Sequence, residues 1–405
     1  MNPYYQNQSC DPFVTAKPCD LGNYAVYSVN VTSKEDVVSA IAFAKEKNLR
    51  LVLQQKINGE GLALAVDARP QTVDVIEAYS SSTYSGAAVK IGPGIVAGEA
   101  YQVLGDAGYR IVGGEYASVS LAGGYTTGGG HSMLNTAYGM AVDNVLEWEV
   151  VTASGEYLVA TPTENADLYW ALSGGGGGTF AVVLSMITMI HADRPVAHVA
   201  LTFNLTGSLS ESSFWESIGL FFQQLPSLVS ERNPLQFEIL NNTFDFSGIT
   251  VPDQNSTAVQ TLVAPYLSAL NTLNISYAFS YESSATFLDY FISIIGPLPY
   301  GPYPPTEIWV SRLVPLSLVH NSAATKQLVD AFKPAVADGT SCSAAMRKHP
   351  ENAVFPGWRR AIAACSLTAF WDYEAALEEN MAVKEMLVKD HIPAIEAAHR
   401  PWAFT

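Results

Sequence analysis

Two glycine-rich stretches contain the residues of this chain that are best suited to binding chemistry. The first spans residues 113–132 and the second spans residues 173–180. Glycine lets a backbone approach a ligand closely, and successive N–H groups in such loops form concave sites for anions such as phosphate. Both stretches also contain apolar residues, among them Val119, Leu121 and Phe180, so we expect packed loops rather than flexible linkers.

The spacing of these glycines argues against two common phosphate-binding loops. The chain has no Gly-x-x-x-x-Gly-Lys-Ser/Thr sequence, so a P-loop is not expected. Between Gly123 and Gly130 there is no Gly-x-Gly-x-x-Gly followed by a clear helix and a suitably placed acidic residue, which disfavours a nicotinamide-type Rossmann site. No cysteine and histidine cluster has metal-ligand spacing, so we predict no metal site.

Composition limits the class of partner. The chain has 405 residues, 21 of them basic and 38 acidic, which gives a net charge of −17. A chain of this length is expected to form two domains. The negative charge argues against nucleic acid or an anionic membrane surface as a partner, and no apolar run is long enough to span a bilayer. We therefore expect neither of these partners.

Other features indicate the secretory pathway or the extracellular space. Asn-x-Ser/Thr acceptors suggest a glycoprotein. The N-terminus shows no signal peptide, so we expect a leader to be missing from the sequence as given. The acceptors are Asn7, Asn30, Asn204, Asn241, Asn255 and Asn274.

The four cysteines fall into two groups. Cys10 and Cys19 lie close together in a loop-like segment that contains proline, which is typical of a short disulfide loop. Cys342 and Cys365 are either a second disulfide or two buried thiols, and their spacing does not decide between the two.

The order of predicted elements indicates an α+β protein. A helix over residues 37–47, with Ser33 as its N-cap, precedes a strand over residues 50–53. Further strands are predicted at 88–91, 145–151, 157–160 and 182–190, with helices at 99–107 and 167–172. We place Trp148 and Trp170 in the core.

After residue 191 the composition changes, and strands alternate with helices in a pattern typical of an antiparallel sheet that carries helices. We therefore predict one domain at residues 1–195 and a second at residues 196–405. In the second, strands are expected at 199–203, 235–240, 275–281, 313–315 and 361–370, and helices at 211–225, 258–270, 323–332 and 373–388.

Five sequence blocks in this order resemble the PCMH-type FAD-binding domain of berberine-bridge-enzyme-like oxidoreductases, in the vanillyl-alcohol-oxidase class. The most specific block is Leu-Ala-Gly-Gly-Tyr-Thr-Thr-Gly-Gly-Gly-His-Ser at residues 121–132. The others lie at residues 8–13, 112–115, 145–151 and 167–178. The chain looks most like the secreted fungal branch of this family, and the part after residue 195 resembles the family's substrate domain.

The resemblance implies an FAD-dependent oxidation of a small hydrophobic natural product, at an alcohol or an activated C–H, with oxygen as electron acceptor, in secondary metabolism. It implies that FAD lies at the junction of the two domains, and that Tyr116 lies beside the flavin ring as a wall, a proton donor or a space-filler. The cofactor-binding residues that it implies are Gly113, Gly114, Gly123, Gly124, Gly128, Gly129, Gly130, His131, Asp143, Gly176, Gly177, Thr179, Phe180 and Val182.

The chain departs from the family pattern in three places. The histidine that many relatives bond to the flavin is absent from the loop at residues 54–61, and Tyr116 stands where bicovalent members have a cysteine. The Asn-Tyr and Tyr-Asp-Pro segments of the family do not occur before Thr405. We therefore expect non-covalent FAD. The alternative is a flavin-free cyclase, isomerase or binding protein on the same fold.

Overall fold

The computed structural model describes residues 20, 25, 27–54, 63–68, 72–207, 209–229, 233–240, 242–254, 256–298, 307–335, 339–344, 351–372 and 374–398, with backbone only at 52–54, 63–68 and 247. The predicted Cys10–Cys19 disulfide, most of the loop at residues 54–61, Tyr373 and the last residues of the chain lie outside this set. No helix in the described ranges has the length and apolar character needed to cross a membrane.

The first lobe contains three sheets. A parallel sheet has the strand order β1-β3-β2, an antiparallel sheet has the order β4-β5-β9-β7-β8, and β10 pairs with β6. The strands are β1 (Tyr27–Val31), β2 (Arg50–Gln54), β3 (Ala63–Ala68), β4 (Val73–Ser80), β5 (Ser85–Ile91), β6 (Tyr109–Arg110), β7 (Val145–Thr152), β8 (Tyr157–Ala160), β9 (Ala181–Met189) and β10 (His191–Ala192); the helices are α1 (Lys34–Glu46), α2 (Ala97–Asp106), α3 (Asn135–Tyr138) and α4 (Ala166–Leu172).

Helix α1 shows how local sequence fixes an element. The Ser33 hydroxyl accepts a hydrogen bond from Asp36 N–H at 3.2 Å, and the Asp36 carboxylate accepts one from Ser33 N–H at 3.0 Å. This reciprocal capping box satisfies N–H groups that the first turn leaves without partners. The buried face of α1, which includes Val37 and Ile41, packs in the first lobe with Val182 of β9. The predicted N-cap and helix are confirmed.

The second lobe is built on one antiparallel sheet of seven strands in the order β14-β11-β13-β12-β16-β17-β15. Its strands are β11 (Val196–Asn204), β12 (Leu235–Leu240), β13 (Thr243–Pro252), β14 (Ala278–Ser284), β15 (Glu307–Pro315), β16 (Thr340–Ala344) and β17 (Ala361–Phe370); its helices are α5 (Glu211–Leu228), α6 (Ser256–Thr272), α7 (Phe287–Ile295), α8 (Leu316–Val319), α9 (Ser322–Phe332), α10 (Leu377–Met386) and α11 (Ile392–Ala398).

Aromatic packing forms the core of the second lobe. Phe221 of α5 is fully buried, and its ring centroid lies 4.9 Å from those of Phe237 and Phe244, 5.2 Å from that of Phe246 and 5.0 Å from that of Tyr266. Edge-to-face pairs of this kind add to the free energy gained by burial. The helices therefore cover one face of the sheet, and the other face is left for the first lobe.

Two expectations about individual residues have clear outcomes. Cys342 and Cys365 face each other across β16 and β17 and form a disulfide, which decides between the two alternatives. Trp148 is fully buried, as predicted, but Trp170 is 50% exposed. The prediction for Trp170 was wrong because the inner side of α4 is occupied by Leu168, Tyr169 and Leu172, so Trp170 lies on the outer side.

Helix α7 and a buried arginine join the lobes. Phe287 and Phe291 of α7 pack against Tyr101 of α2, with ring centroids 5.5 and 4.7 Å away. Arg110 is only 2% exposed and forms an ion pair with Asp253, which follows β13. The domain division at residues 195 and 196 stays a prediction, since α7 follows it in sequence yet packs on the first lobe.

His191 lies beside this arginine. Its ring stacks on that of Tyr138 at 3.8 Å, and its Nε2 lies 3.1 Å from Asn144 Oδ1. Arg110 donates to the Tyr138 hydroxyl from the other side. Burial and the charge of Arg110 outweigh the charge of Asp253 and lower the pKa of His191 from 6.5 to about 4. The folded protein therefore holds this imidazole neutral.

We predict that His191 makes the protein less stable in acid. Between pH 6.5 and about 4 the unfolded chain binds a proton at His191 and the folded protein does not, so the free energy of unfolding falls as the pH falls through this window. The effect is on the order of 3 kcal/mol. His191→Gln keeps a hydrogen-bond donor for Asn144 but does not titrate. Urea unfolding at pH 7 and at pH 4 should therefore show a smaller acid loss in this variant, and equal losses would contradict the prediction.

Candidate functional site

The two glycine-rich stretches contact each other directly. The backbone carbonyl of Thr127 accepts hydrogen bonds from Gly174 N–H at 3.1 Å and from Gly176 N–H at 3.0 Å. A Cβ atom on Gly177 would lie 2.7 Å from the Cα of Gly124, so a side chain at Gly177 would push the loops apart. Packed loops rather than flexible linkers are therefore observed.

This contact leaves a solvent-facing surface of backbone. Gly124, Gly128, Gly177 and Gly178 are exposed. Among the residues described, nothing accepts a hydrogen bond from the N–H of Gly177 or Gly178. No atom lies within 4 Å of a Cβ added to Gly124. Unpaired amide donors beside open space are suited to an anionic group, so the residues present fit the phosphates of FAD.

Two further predicted residues flank this surface. Thr179 and Phe180 are both exposed, Phe180 by 41% of its surface. Gly176 lies next to them, and a Cβ there would meet only the Thr179 hydroxyl, at 3.6 Å. The φ angles of Gly174, Gly176 and Gly178 are 110°, 113° and 69°, a region that side chains disfavour. The backbone conformation of the second run therefore requires glycine at alternate positions. Thr179 and Phe180 continue the exposed surface that Gly177 and Gly178 begin.

Other predicted glycines pack against protein atoms. A Cβ on Gly130 would lie 2.5 Å from that of Ala141, and one on Gly113 would lie 2.5 Å from the Tyr101 hydroxyl. The carbonyl of Gly114 accepts a hydrogen bond from that same hydroxyl at 2.7 Å. Gly129 faces Met140, and Gly123 is buried. These glycines position the loop, and their cofactor contacts stay predictions.

Val182 is buried in the first lobe. Its exposed fraction is 6%, and its side chain packs with Val151 and the inner face of α1. The side chain is therefore packed in the apolar cluster, and a cofactor contact at this position stays a prediction.

Asp143 joins the lobes. Its carboxylate oxygens accept hydrogen bonds from Arg359 Nη1 and Nη2 at 2.9 and 2.8 Å, from Asn352 Nδ2 at 2.7 Å and from Met140 N–H at 2.9 Å. The Asp143 side chain is 2% exposed and that of Arg359 is 20% exposed. Breaking such a buried, bidentate pair is costly because it leaves a charge without a partner. Asp143 thus fixes the position of the second lobe, and its role toward the cofactor stays a prediction.

Tyr116 lies inside the first glycine run, in the bend just after Glu115. Its side chain is half-buried, and its carbonyl accepts a hydrogen bond from Val119 N–H at 3.1 Å. It does not line the cavity described next. Its predicted place beside the flavin is a matter for experiment.

A cavity lies at the junction of the lobes, next to the first glycine run. Its volume is about 40 Å³, and it opens to solvent. The first lobe contributes Glu115, His131, Ser132 and Met133. The second lobe lines it from the start of β12, from β13, from the end of β16 and from α7, through Pro234, Leu235, Gln236, Gly248, Thr250, Ala344, Tyr290 and Ile294.

Glu115 and His131 contact each other in the wall of this cavity. His131 Nδ1 lies 3.2 Å from Glu115 Oε1, and their side chains are 28% and 24% exposed. Burial acts to raise the pKa of Glu115, but hydrogen bonding and charge from His131, together with a hydrogen bond from Gln236, more than offset it and lower the pKa. Glu115 is therefore held as a carboxylate.

On the opposite wall a pair of hydroxyls faces the cavity. Tyr290 Oη and Thr250 Oγ1 lie 2.7 Å apart. Burial is the main cause that raises the pKa of Tyr290, opposed by the hydrogen bond from Thr250, and the charge of Glu115 adds to the rise. Tyr290 therefore stays protonated and able to donate. The remaining lining, with Met133, Leu235 and Ile294, is mostly apolar, which suits an apolar molecule with a polar group.

Sequence reasoning identified His131 but not the other polar residues of the cavity. Glu115 lies inside the first glycine run and could have been noticed as its only acidic residue. Gln236, Thr250 and Tyr290 lie on three separate elements, and no local motif marks them.

Comparisons with known proteins agree with this arrangement. The family described as FAD binding domain matches residues 26–161. The chain is 43% identical to the bifunctional decalin synthase calF of Penicillium decumbens, over 98% of this chain and 72% of that protein. It is 41% identical to the FAD-linked oxidoreductase orf1 of Neocamarosporium betae, over 98% and 70% of the two chains.

Solved structures show the same fold. The crystal structure of the VAO-type flavoprotein MtVAO615 from Myceliophthora thermophila C1 superimposes with a TM-score of 0.92 at 38% identity, over 98% of this chain and 75% of that one. BBE-like 1 of Physcomitrella patens has a TM-score of 0.73 at 18% identity, over 97% and 88% of the chains, and this likeness concerns the fold alone. The chain therefore belongs to the FAD-linked oxidoreductases of the vanillyl-alcohol-oxidase type, and it is an oxidoreductase whose cofactor is FAD.

Proposed function

We propose that the protein oxidises a small, largely apolar natural product in the junction cavity, with non-covalent FAD and with oxygen as the final electron acceptor. The observation that carries this proposal is the surface of unpaired amides at Gly177 and Gly178, beside the open space at Gly124. Relatives named FAD-linked oxidoreductases occur in fungi such as Penicillium expansum and Neocamarosporium betae, which supports a role in secondary metabolism.

Bound FAD supplies a two-electron acceptor. The chain's own residues then have separate tasks. The backbone of the glycine-rich stretches binds phosphate, and the apolar lining of the cavity excludes water from the substrate. The Tyr290–Thr250 hydroxyls and the Glu115–His131 pair offer polar groups on opposite walls that would orient a substrate oxygen between them.

The first test concerns the cofactor and its reduction. The purified protein should be yellow, and acid precipitation should release the colour into the supernatant, because Tyr116 stands where a cysteine anchors flavin in bicovalent members. Under anaerobic conditions, a suitable apolar alcohol from a panel should bleach the flavin absorbance, and air should restore it. Colour that stays in the pellet would contradict non-covalent binding, and flavin that no compound in the panel bleaches would count against alcohol oxidation.

A second candidate is ring closure without net oxidation. It is favoured by the 43% identical relative that is named a bifunctional decalin synthase, since a cavity can also accelerate a reaction by positioning its substrate. Conversion of a polyene by flavin-free protein in the absence of oxygen would support this candidate over oxidation.

We predict that Gly124→Ala weakens FAD binding without disturbing the fold. The added methyl group meets no protein atom within 4 Å, so it occupies only the open space proposed for the cofactor. Loss of one charge-assisted hydrogen bond corresponds to about tenfold or more in Kd. Gly219→Ala in α5 is the matched control, because its Cβ also meets nothing within 4 Å.

FAD titration by fluorescence measures the affinity of both variants, and thermal melting of the flavin-free proteins tests the fold. Equal FAD affinity for the Gly124→Ala variant and the wild type would mean that the cofactor phosphates bind elsewhere.

We further propose that the protein passes through the secretory pathway as a glycoprotein. Three of its acceptor asparagines fall within the described residues, and Asn30, Asn204 and Asn274 are all exposed. Expression in a secreting eukaryotic host should give a product whose mass falls on treatment with an N-glycosidase. Asn30→Gln should remove one glycan, whereas an unchanged mass for every form would argue against this route.

A further inference from the structure

His131 has one ring nitrogen engaged and one available. Nδ1 is turned to Glu115 at 3.2 Å. The nearest aromatic neighbour is Trp358, whose ring centroid lies 6.3 Å away in a tilted arrangement. Over the described ranges, no group forms a hydrogen bond with Nε2. In a neutral imidazole whose Nδ1–H faces a carboxylate, Nε2 carries the lone pair and can accept a proton.

The partner carboxylate is fixed from both lobes. Glu115 interacts with His131 of its own lobe and with Gln236 of β12 in the other lobe. Both contacts favour the charged form of the carboxylate over the protonated form. A carboxylate in this position orients the imidazole and stabilises the imidazolium that forms when Nε2 takes up a proton. The pair lies within the first lobe, and Gln236 adds a contact from the second.

The cavity in front of this pair opens to solvent and can admit a hydroxyl group. The Tyr290 and Thr250 hydroxyls already bond each other at 2.7 Å, so they can orient a ligand oxygen but are poor proton acceptors. The apolar lining residues Met133, Leu235 and Ile294 match a hydrocarbon body. Among the residues that line the cavity, His131 is the one whose imidazole nitrogen can accept a proton.

We propose that His131 is a catalytic residue that accepts the proton of a substrate hydroxyl, and that Glu115 is the positioning residue that holds its imidazole. The inference rests on the proposed function and names its substrate class, an alcohol or phenol with an apolar body. In the step, the substrate O–H bond breaks, the proton forms a bond to Nε2, and the electron pair remains on oxygen. The imidazolium lies between the Glu115 carboxylate and the new oxyanion, and the total charge of the site is unchanged.

A coloured phenol tests the proton transfer directly. p-Nitrophenol is colourless when protonated and yellow as the phenolate, so its absorbance reports proton transfer without any redox step. It is added to the FAD-loaded protein at a pH below its own pKa, and the flavin spectrum is subtracted. The bound probe should show a phenolate-to-phenol ratio about tenfold above that of the free probe, equivalent to about one unit of its pKa.

Variants show whether His131 accepts the proton or whether the Glu115–His131 pair is only structural. His131→Gln should still bind the probe in equilibrium dialysis but lose the phenolate band. Glu115→Gln should reduce the band, and Glu115→Asp should restore part of it. His320→Gln, at an exposed histidine after α8, is the control and should behave as wild type. Retained FAD and an unchanged melting temperature confirm that each variant is folded.

Two results would overturn the proposal. A phenolate band that survives in His131→Gln would mean that another group takes the proton. If the wild-type protein does not bind p-nitrophenol, the proposed substrate class is wrong. A failure of the proposed function would appear in a different measurement. If no alcohol bleaches the flavin, the absorbance of bound p-nitrophenol still reports whether His131 takes up the proton.

Discussion

The carbonyl oxygen of Thr127 holds the two glycine-rich stretches together. It accepts hydrogen bonds from Gly174 and Gly176, and this contact brings the Cα atoms of Gly124 and Gly177 into close approach. Any side chain at Gly177 would separate the loops. The binding surface is therefore made from backbone amides, which need no lysine or arginine to neutralise an anion. Arg110 and Arg359 instead form ion pairs between the lobes.

Two buried ion pairs join the lobes. Arg110 pairs with Asp253, and Arg359 pairs with Asp143, each across the junction. Buried ion pairs give little net stability, because removing two charges from water costs about as much as their attraction returns. Their geometry is strict, however, and a bidentate arginine accepts few orientations of its partner. The cavity beside Glu115 depends on this orientation, since both lobes line it.

Elements with local signals could be predicted from the sequence. The Ser33 cap and the alternation of Val199, Leu201 and Phe203 in β11 are contained within a few residues, and both elements formed as expected. Helix α7 was not predicted, because it is apolar on nearly all sides. Its inner face, with Phe287, Tyr290 and Phe291, is buried, but Ile292 and Ile294 on its exposed side are also apolar. Trp170 was misplaced for the opposite reason, since its size suggested the core while its helix position directed it outward.

The same distinction applies to the site. The glycine-rich stretches could be found because their function lies in consecutive residues. Gln236, Thr250 and Tyr290 could not, because only the sheet order and the packing of α7 bring them to Glu115. Asp143 was predicted only as a cofactor-binding residue. Its partners Asn352 and Arg359 lie more than half the chain away, so its contact across the junction could not be inferred.

The second glycine run is also covered from the far end of the chain. Ala353 N–H donates to the Ser173 carbonyl at 2.9 Å, and the Val354 side chain packs on Gly174. These residues are translated long after the loop that they cover. The order in which the ribosome makes the chain therefore differs from the order in which this loop is completed. Maturation of this loop is a late event in biosynthesis, although its own sequence emerges in the first half.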